Sequence, residues 1–192
     1  GEAHLYNVLV HIATVLAVIL VFNKTIISLI KSLFNKNEYK NHKQSSNLNL
    51  IKLIILATIP TAIIGFFGRK LFQNIQHNLL LIGIMFLITA VLLFATKFTK
   101  SENRDEYTKI GSFRAIIIGI VQGLAVAPGI SRSGSTISTS RFLGISREKA
   151  GEFSFLIAVP AIIGASIFEI LKAKIVSANF MVFVVGFISS FI

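Results

Sequence analysis

The segment from Ala127 to Thr136, Ala-Pro-Gly-Ile-Ser-Arg-Ser-Gly-Ser-Thr, concentrates groups that can bind an anion. Pro128 removes a backbone donor and stops a preceding helix, and glycines permit a tight backbone turn. Arg132 carries a fixed fork of donors that matches phosphate oxygens. Hydroxyl groups accompany it, from Ser131, Ser133, Ser135 and Thr136. The segment holds no negative charge, so its chemistry predicts a phosphate ligand.

The composition places this segment in a membrane protein. Hydrophobic residues make up 54% of the 192 residues and charged residues only 14%, whereas a soluble domain is about 45–50% apolar and about 25% charged. The apolar residues occur in blocks, which is the pattern of membrane-spanning helices. The net charge of +11 lies mostly between the blocks, so it indicates topology rather than nucleic-acid binding. The sequence has no cysteine, which excludes disulfides and a cysteine nucleophile.

Six apolar blocks predict an all-α, polytopic α-helical membrane protein that forms a single membrane domain over residues 1–192. Five blocks are predicted transmembrane helices, at residues 5–22, 50–67, 79–95, 153–168 and 180–192. The connections between blocks that carry most lysine and arginine should be cytoplasmic, by the positive-inside rule. Those connections are residues 23–49, 96–112 and 141–152.

The block within residues 113–142 does not fit a simple span. Basic connections precede and follow it, so both of its ends should be cytoplasmic, and a single crossing would separate them. We therefore predict a re-entrant helical hairpin that turns within the membrane. Irregular backbone at that depth needs cover from protein or from a water-filled cavity, so the turn should line a cavity.

This depth makes Arg132 the candidate catalytic residue, because a charge inside a membrane is costly and usually serves function. We expect the next helix to begin near Gly134–Thr136 and to direct its free N–H groups and positive dipole end at the same ligand. Gln122 and Glu152 either join the site or serve helix packing and a helix N-terminus. The candidate substrate-binding residues are Gly129, Ser131, Ser133, Gly134, Ser135, Thr136, Gln122 and Glu152.

Three further hydroxyl residues, Ser138, Thr139 and Ser140, are interpreted as aids to close helix packing. His11, in the first block, is either an interior histidine or a participant in the site. The sequence shows no convincing cluster of metal ligands, so no residue is assigned to a metal.

The segment Gly119-Ile-Val-Gln-Gly-Leu-Ala-Val-Ala-Pro-Gly-Ile-Ser-Arg-Ser-Gly-Ser-Thr136 resembles the second signature of the undecaprenyl-diphosphatase family, the bacitracin-resistance phosphatases. Glu152–Pro160 and Val8–Val18 resemble two further parts of the family, so the similarity runs through nearly the whole chain. The resemblance implies hydrolysis of undecaprenyl diphosphate to undecaprenyl phosphate and inorganic phosphate. That reaction recycles the lipid carrier for peptidoglycan at the bacterial cytoplasmic membrane and confers bacitracin resistance.

The resemblance also implies two inverted repeats, each with a re-entrant hairpin, and a divalent cation, Mg or Ca. The family's first signature, with its Glu-Gly-x-x-Glu pattern and Ser-Gly-His turn, has no copy in this sequence. It holds the family's candidate acid–base groups, and Gln122, at the equivalent place of the second repeat, cannot ionise. We expect a fragment that lacks this signature and a last helix, and that binds the diphosphate but hydrolyses it poorly or not at all.

A transporter or flippase of a phosphorylated polyprenyl lipid is the alternative, because re-entrant segments and inverted repeats also build transporters. A potassium-type channel is a weaker hypothesis, since the sequence lacks a Thr-Val-Gly-Tyr-Gly filter. The expected partners are a polyprenyl diphosphate lipid and the membrane, and the sequence does not predict an oligomeric state.

Overall fold

The computed structural model describes residues 2–34, 42–99, 107, 110–172 and 180–191. Eight α-helices account for most of these residues. They are α1 (Glu2–Val21), α2 (Asn23–Phe34), α3 (His42–Ile75), α4 (Leu79–Ala95), α5 (Ser112–Leu124), α6 (Arg132–Phe142), α7 (Arg147–Lys172) and α8 (Phe180–Phe191).

Three helical segments within the described ranges are long and apolar enough to cross a membrane: Ser45–Gly68, Leu79–Phe98 and Arg147–Leu171. The bent pair formed by α1 and α2 adds a fourth if it counts as one span. Large apolar side chains point outward from these helices, with Phe67 78% exposed and Leu79 84% exposed. Such surfaces suit a lipid environment rather than water. The prediction of an all-α polytopic membrane protein is therefore confirmed.

The helices of the spans start and stop where local signals allow. α4 covers the predicted block, and the Asn78 side chain caps its start by accepting hydrogen bonds from the N–H groups of Leu80 and Leu81 at 3.1 and 3.2 Å. α3 extends beyond its block at both ends, and Pro60 lies inside it. Thr61 Oγ1, one residue after the proline, lies 2.8 Å from Ala57 O of the preceding turn.

The connection predicted after the first span contains a helix. The chain bends by 82° at Phe22, where Asn23 Nδ2 donates to Leu20 O at 2.6 Å and caps the end of α1. α2 follows at once. Its isoleucines and leucines recur every three or four residues, which is the spacing that produces an amphipathic helix.

The chain packs as two compact units, residues 1–27 with 158–192, and residues 28–157. In the first unit α1 packs against α8, and Val15, Ala158 and Ile162 form a small buried core. His11 lies on an exposed side of α1, so the interpretation as an interior histidine is wrong. The single membrane domain over all residues stays a prediction.

The second unit holds the segment that the sequence predicts to be re-entrant. Here α5 and α6 form a helix–turn–helix, and α5 packs against α3. A Cβ atom on Gly119 would lie 2.1 Å from Ala57 O, and one on Gly123 would lie 2.7 Å from Ile64 Cβ. Glycines four residues apart let two helix backbones touch. Entry of this hairpin into the membrane, and the inverted repeat, stay predictions.

Candidate anion-binding site

The turn between α5 and α6 is a tight β-turn pressed against α4. Ile130 N donates to Ala127 O at 3.2 Å, with Pro128 second and Gly129 third in the turn. Gly129 has φ of +90°, as the third position of a type II turn requires. A Cβ atom there would also lie 2.6 Å from Ile82 O of α4. Glycine is thus needed at position 129 for its conformation and for the close approach to α4.

Ser131 caps α6 and attaches the turn to α4. Its Oγ accepts a hydrogen bond from Gly134 N at 3.1 Å, and its own N–H donates to Thr89 Oγ1 at 3.2 Å. The helix therefore begins at Arg132, and the predicted start near Gly134–Thr136 is wrong. The cap moves the start because it satisfies the Gly134 N–H from outside the helix.

Arg132 occupies the first position of α6 and is half-buried. Its carbonyl accepts from Thr136 Oγ1 at 2.9 Å, but within the described ranges no hydrogen bond or ion pair engages its guanidinium. Ser131 and Ser133 are exposed on either side of it. Backbone N–H groups in the first turn of a helix lack helical acceptors. The open side of the turn thus presents a guanidinium, hydroxyls and the positive end of a helix dipole.

Three predicted site residues lie inside the packed interior instead. Gly134 is buried, Ser135 is 2% exposed and Thr136 is fully buried. The Thr136 hydroxyl is 2.5 Å from Ser154 Oγ, which ties α6 to α7. Ser138 and Ser140 are also fully buried, as close helix packing requires. Substrate binding by Gly134, Ser135 and Thr136 stays a prediction; the observed bonds of Gly134 N and of the Thr136 hydroxyl are structural.

Gln122 joins three helices from within the bundle. It is 1% exposed, and its Nε2 donates to Thr61 Oγ1 at 3.2 Å and to Ile157 O at 3.3 Å. Thr61 Oγ1 in turn donates to Gly119 O at 2.8 Å. These bonds connect α3, α5 and α7, which is the packing role that the sequence left open. A substrate contact by Gln122 stays a prediction.

Glu152 lies on α7. Its Oε2 is 2.7 Å from Lys149 Nζ on the same helix. A substrate contact by Glu152 stays a prediction.

The divalent cation implied by the resemblance finds no fit in the described residues. Among them no three histidine, aspartate or glutamate side chains lie close enough to hold a metal ion. The turn itself presents a guanidinium and N–H donors, which repel a cation. This donor set suits an anion.

The sequence is similar to those of a known protein family. The sequence profile of the family described as "Bacitracin resistance protein BacA" matches residues 1–192. The chain belongs to this family. Relatives named undecaprenyl-diphosphatase include one from Alkaliphilus metalliredigens, 38% identical over 97% of this chain and 70% of the relative. Another, from Treponema denticola, is 40% identical over 96% of this chain and 71% of the relative.

A third relative of the same name, from Methanosphaera stadtmanae, is 38% identical over 97% of this chain and 71% of the relative. The chain thus spans about 70% of the length of these BacA-family relatives. The family predicted from Gly119–Thr136 is confirmed.

Sequence reasoning missed three residues that link separate segments of this BacA-family chain. Thr61 and Thr89 are threonines inside apolar helices, and each holds a part of the hairpin through its hydroxyl. Tyr107 lies in a charged connection, where it is buried and Asn49 Nδ2 donates to its carbonyl. A hydroxyl within an apolar block was the available signal for the two threonines.

Tyr107 and Glu152 form a cluster with Lys149. Lys149 Nζ lies 4.7 Å from the centre of the Tyr107 ring. Burial, and then the negative charge of Glu152, raise the pKa of Tyr107 well above its ordinary value near 10. The hydroxyl therefore stays neutral in the folded chain at alkaline pH.

This shift predicts a pH dependence of stability. The pKa of Tyr107 is higher in the folded chain than in the unfolded chain. The contribution of its neutral hydroxyl to the free energy of unfolding is therefore complete below about pH 10 and is lost as the pH rises further. In detergent, Tyr107→Phe should reduce the fall in Tm between neutral and strongly alkaline pH. Glu152→Gln should reduce it less, because burial remains. Identical pH profiles for Tyr107→Phe and the parent chain would contradict this assignment.

Proposed function

We propose that this chain hydrolyses undecaprenyl diphosphate to undecaprenyl phosphate and inorganic phosphate. The relatives that share 38–40% of its residues carry the name undecaprenyl-diphosphatase. The structural observation that carries the proposal is Arg132, half-buried at the open N-terminus of α6 with its guanidinium unengaged by the described residues. Transport of the lipid without hydrolysis is not favoured, because the relatives' name specifies a diphosphatase.

The geometry of the turn suits one part of the reaction. Hydrolysis forms a bond from a water oxygen to the terminal phosphorus, breaks that atom's bond to the bridging oxygen, and releases a proton of the attacking water to the solvent. Negative charge collects on the terminal and bridging oxygens, and the bridging oxygen leaves with undecaprenyl phosphate. Phosphoryl transfer depends mostly on positioning and charge neutralisation. The Arg132 guanidinium can bind two phosphate oxygens at once, and the first N–H groups of α6 can bind another.

The remaining site residues have narrower proposed roles. Ser131 and Ser133 are exposed beside Arg132, so their hydroxyls can donate to the diphosphate. Gly129 allows the backbone to form this turn. We assign anion binding and charge stabilisation to the turn, since protonated arginine and serine hydroxyls donate hydrogen bonds at neutral pH but do not take up the proton of an attacking water.

The proposal extends to the setting of the reaction. A prenyl tail belongs among lipid chains, and the outward-facing apolar side chains of this polytopic protein provide that setting. We propose a multi-pass protein of the bacterial cytoplasmic membrane, where the product returns to peptidoglycan synthesis. Sustained recycling of the lipid carrier would confer bacitracin resistance.

Release of phosphate tests the proposal directly. The purified chain, reconstituted in vesicles with undecaprenyl diphosphate, should release inorganic phosphate above the level of protein-free vesicles. Parallel samples with EDTA test whether this release needs the divalent cation that the family resemblance implies. Movement of labelled lipid across sealed vesicles with no phosphate release would contradict hydrolysis and favour transport.

A further inference from the structure

Helix α2 carries an apolar stripe that the described residues leave uncovered. Ile27 and Ile30 are each 50% exposed, Leu33 is 56% exposed and Phe34 is 83% exposed. Positions 27, 30 and 34 are spaced by three and four residues, so they form one continuous face along the helix. A twelve-residue helix with four such side chains exposed needs an apolar neighbour.

The opposite side of α2 is attached to α3, which fixes the direction of the stripe. Asn47 Nδ2 donates to Ser28 Oγ at 2.7 Å and to Ser32 Oγ at 2.9 Å. Leu29, on the same side, is 7% exposed. The helix therefore cannot rotate its apolar stripe inward without breaking these bonds.

Two lysines flank the stripe. Lys24 and Lys31 are exposed, and their spacing of seven residues places them on one side of the helix, about 10 Å apart along its axis. α2 contains no aspartate or glutamate. A row of positive charge beside an apolar stripe complements the surface of a bilayer that contains anionic lipids.

The length and direction of α2 suit a helix that lies along the bilayer surface and do not suit one that spans the membrane. Twelve residues span about 18 Å, which is less than the roughly 30 Å of a hydrocarbon core. The chain also bends by 82° at Phe22, just before α2 begins. Topology alone would place lysines in a connection, but it would not require a folded helix with a continuous apolar stripe.

We propose that α2 lies in the membrane interface, with its stripe among the upper acyl chains and with Lys24 and Lys31 bound to anionic lipid headgroups. This arrangement is that of amphipathic interfacial helices. Exposed apolar side chains of α3, such as Ile55 and Ile59, provide lipid contact deeper in the bilayer. The inference is independent of the proposed hydrolysis.

The sequence contains no tryptophan, so a single introduced tryptophan reports one position. The Phe34→Trp variant is placed in vesicles of phosphatidylglycerol and phosphatidylcholine. Quenching of its fluorescence is measured with lipids brominated near the headgroup and, separately, with lipids brominated near the chain ends. Phe86→Trp, at a side chain 63% exposed near the middle of α4, is the deep control. Gln76→Trp, at an exposed position between α3 and α4, is the control outside the helices.

We expect the fluorescence of Phe34→Trp to be quenched more by lipid brominated near the headgroup than by lipid brominated near the chain ends. Phe86→Trp should show the reverse. Deep quenching of Phe34→Trp would overturn the proposal and indicate that α2 continues a span. Quenching no stronger than that of Gln76→Trp would overturn it by placing the stripe in water.

The headgroup contact has its own test. Lys24→Gln and Lys31→Gln are introduced together into the Phe34→Trp variant. They should lower several-fold the ratio of quenching by brominated anionic lipid to quenching by brominated zwitterionic lipid. Each lysine near an anionic surface raises the local binding constant roughly fivefold. Lys97→Gln, which removes an exposed lysine beyond α4, should leave that ratio unchanged. An unchanged ratio in the variant with both lysines replaced would overturn the role of the two lysines.

Discussion

Replacement of Arg132 by alanine should lower phosphate release from undecaprenyl diphosphate by about 100- to 1,000-fold, the usual cost of losing one donor aimed at a developing negative charge. Retention of radiolabelled lipid diphosphate should fall with it, because the guanidinium is the charged group on the open side of the turn. Arg132→Lys should retain only part of the phosphate release and of the lipid retention, since an ammonium cannot bind two oxygens in a fixed plane.

The matched control is Arg147→Ala, which removes the same charge from an exposed position at the start of α7. Arg147→Ala should keep both phosphate release and retention of the lipid diphosphate at the level of the parent chain. Thermal unfolding in detergent separates function from folding. Arg132→Ala should unfold at the same temperature as the parent chain or higher, since the half-buried guanidinium gains no bond from the described residues. Unaltered lipid retention in Arg132→Ala would refute the anion site, while a lowered Tm would indicate a structural role.

Substitution of Gly119 by alanine should destabilise the chain more than any other single added methyl group considered above. The new Cβ would lie 2.1 Å from Ala57 O, so α3 and α5 must move apart. Overpacking typically costs about 1–3 kcal/mol and occasionally more, and here the obstacle is backbone, which cannot rotate away. The separation would also break the bonds from Thr61 to Gly119 and from Gln122 to Thr61.

Gly83→Ala on α4 is the matched control, because apart from the adjacent backbone of α4 no atom of the described residues lies within 4 Å of a Cβ atom at that position. It should leave stability unchanged or raise it slightly, since alanine favours a helix over glycine. Thermal unfolding and size-exclusion profiles in detergent measure the difference. Equal behaviour of the two variants would show that α3 and α5 do not pack as closely as Gly119 indicates.

The sequence alone determined the class of the protein and the chemistry of its turn. Long apolar blocks have few stable arrangements outside a membrane, so the helix at Leu79–Ala95 could be predicted with its bounds. The turn at Pro128 and Gly129 was equally readable, because proline ends a helix and glycine adopts the φ of +90° observed there. Arg132 stood out for a similar reason, as a charge is costly in such surroundings.

Only the tertiary structure decided which polar residues share the open side of the turn. Gln122 meets Thr61, 61 residues away in the chain, and Glu152 pairs with Lys149 near Tyr107. Helical spacing tells which residues share a face, but not which neighbouring helix that face meets. Burial of Ser135 and Thr136, and exposure of Ser131 and Ser133, therefore depended on contacts between distant segments rather than on any local pattern.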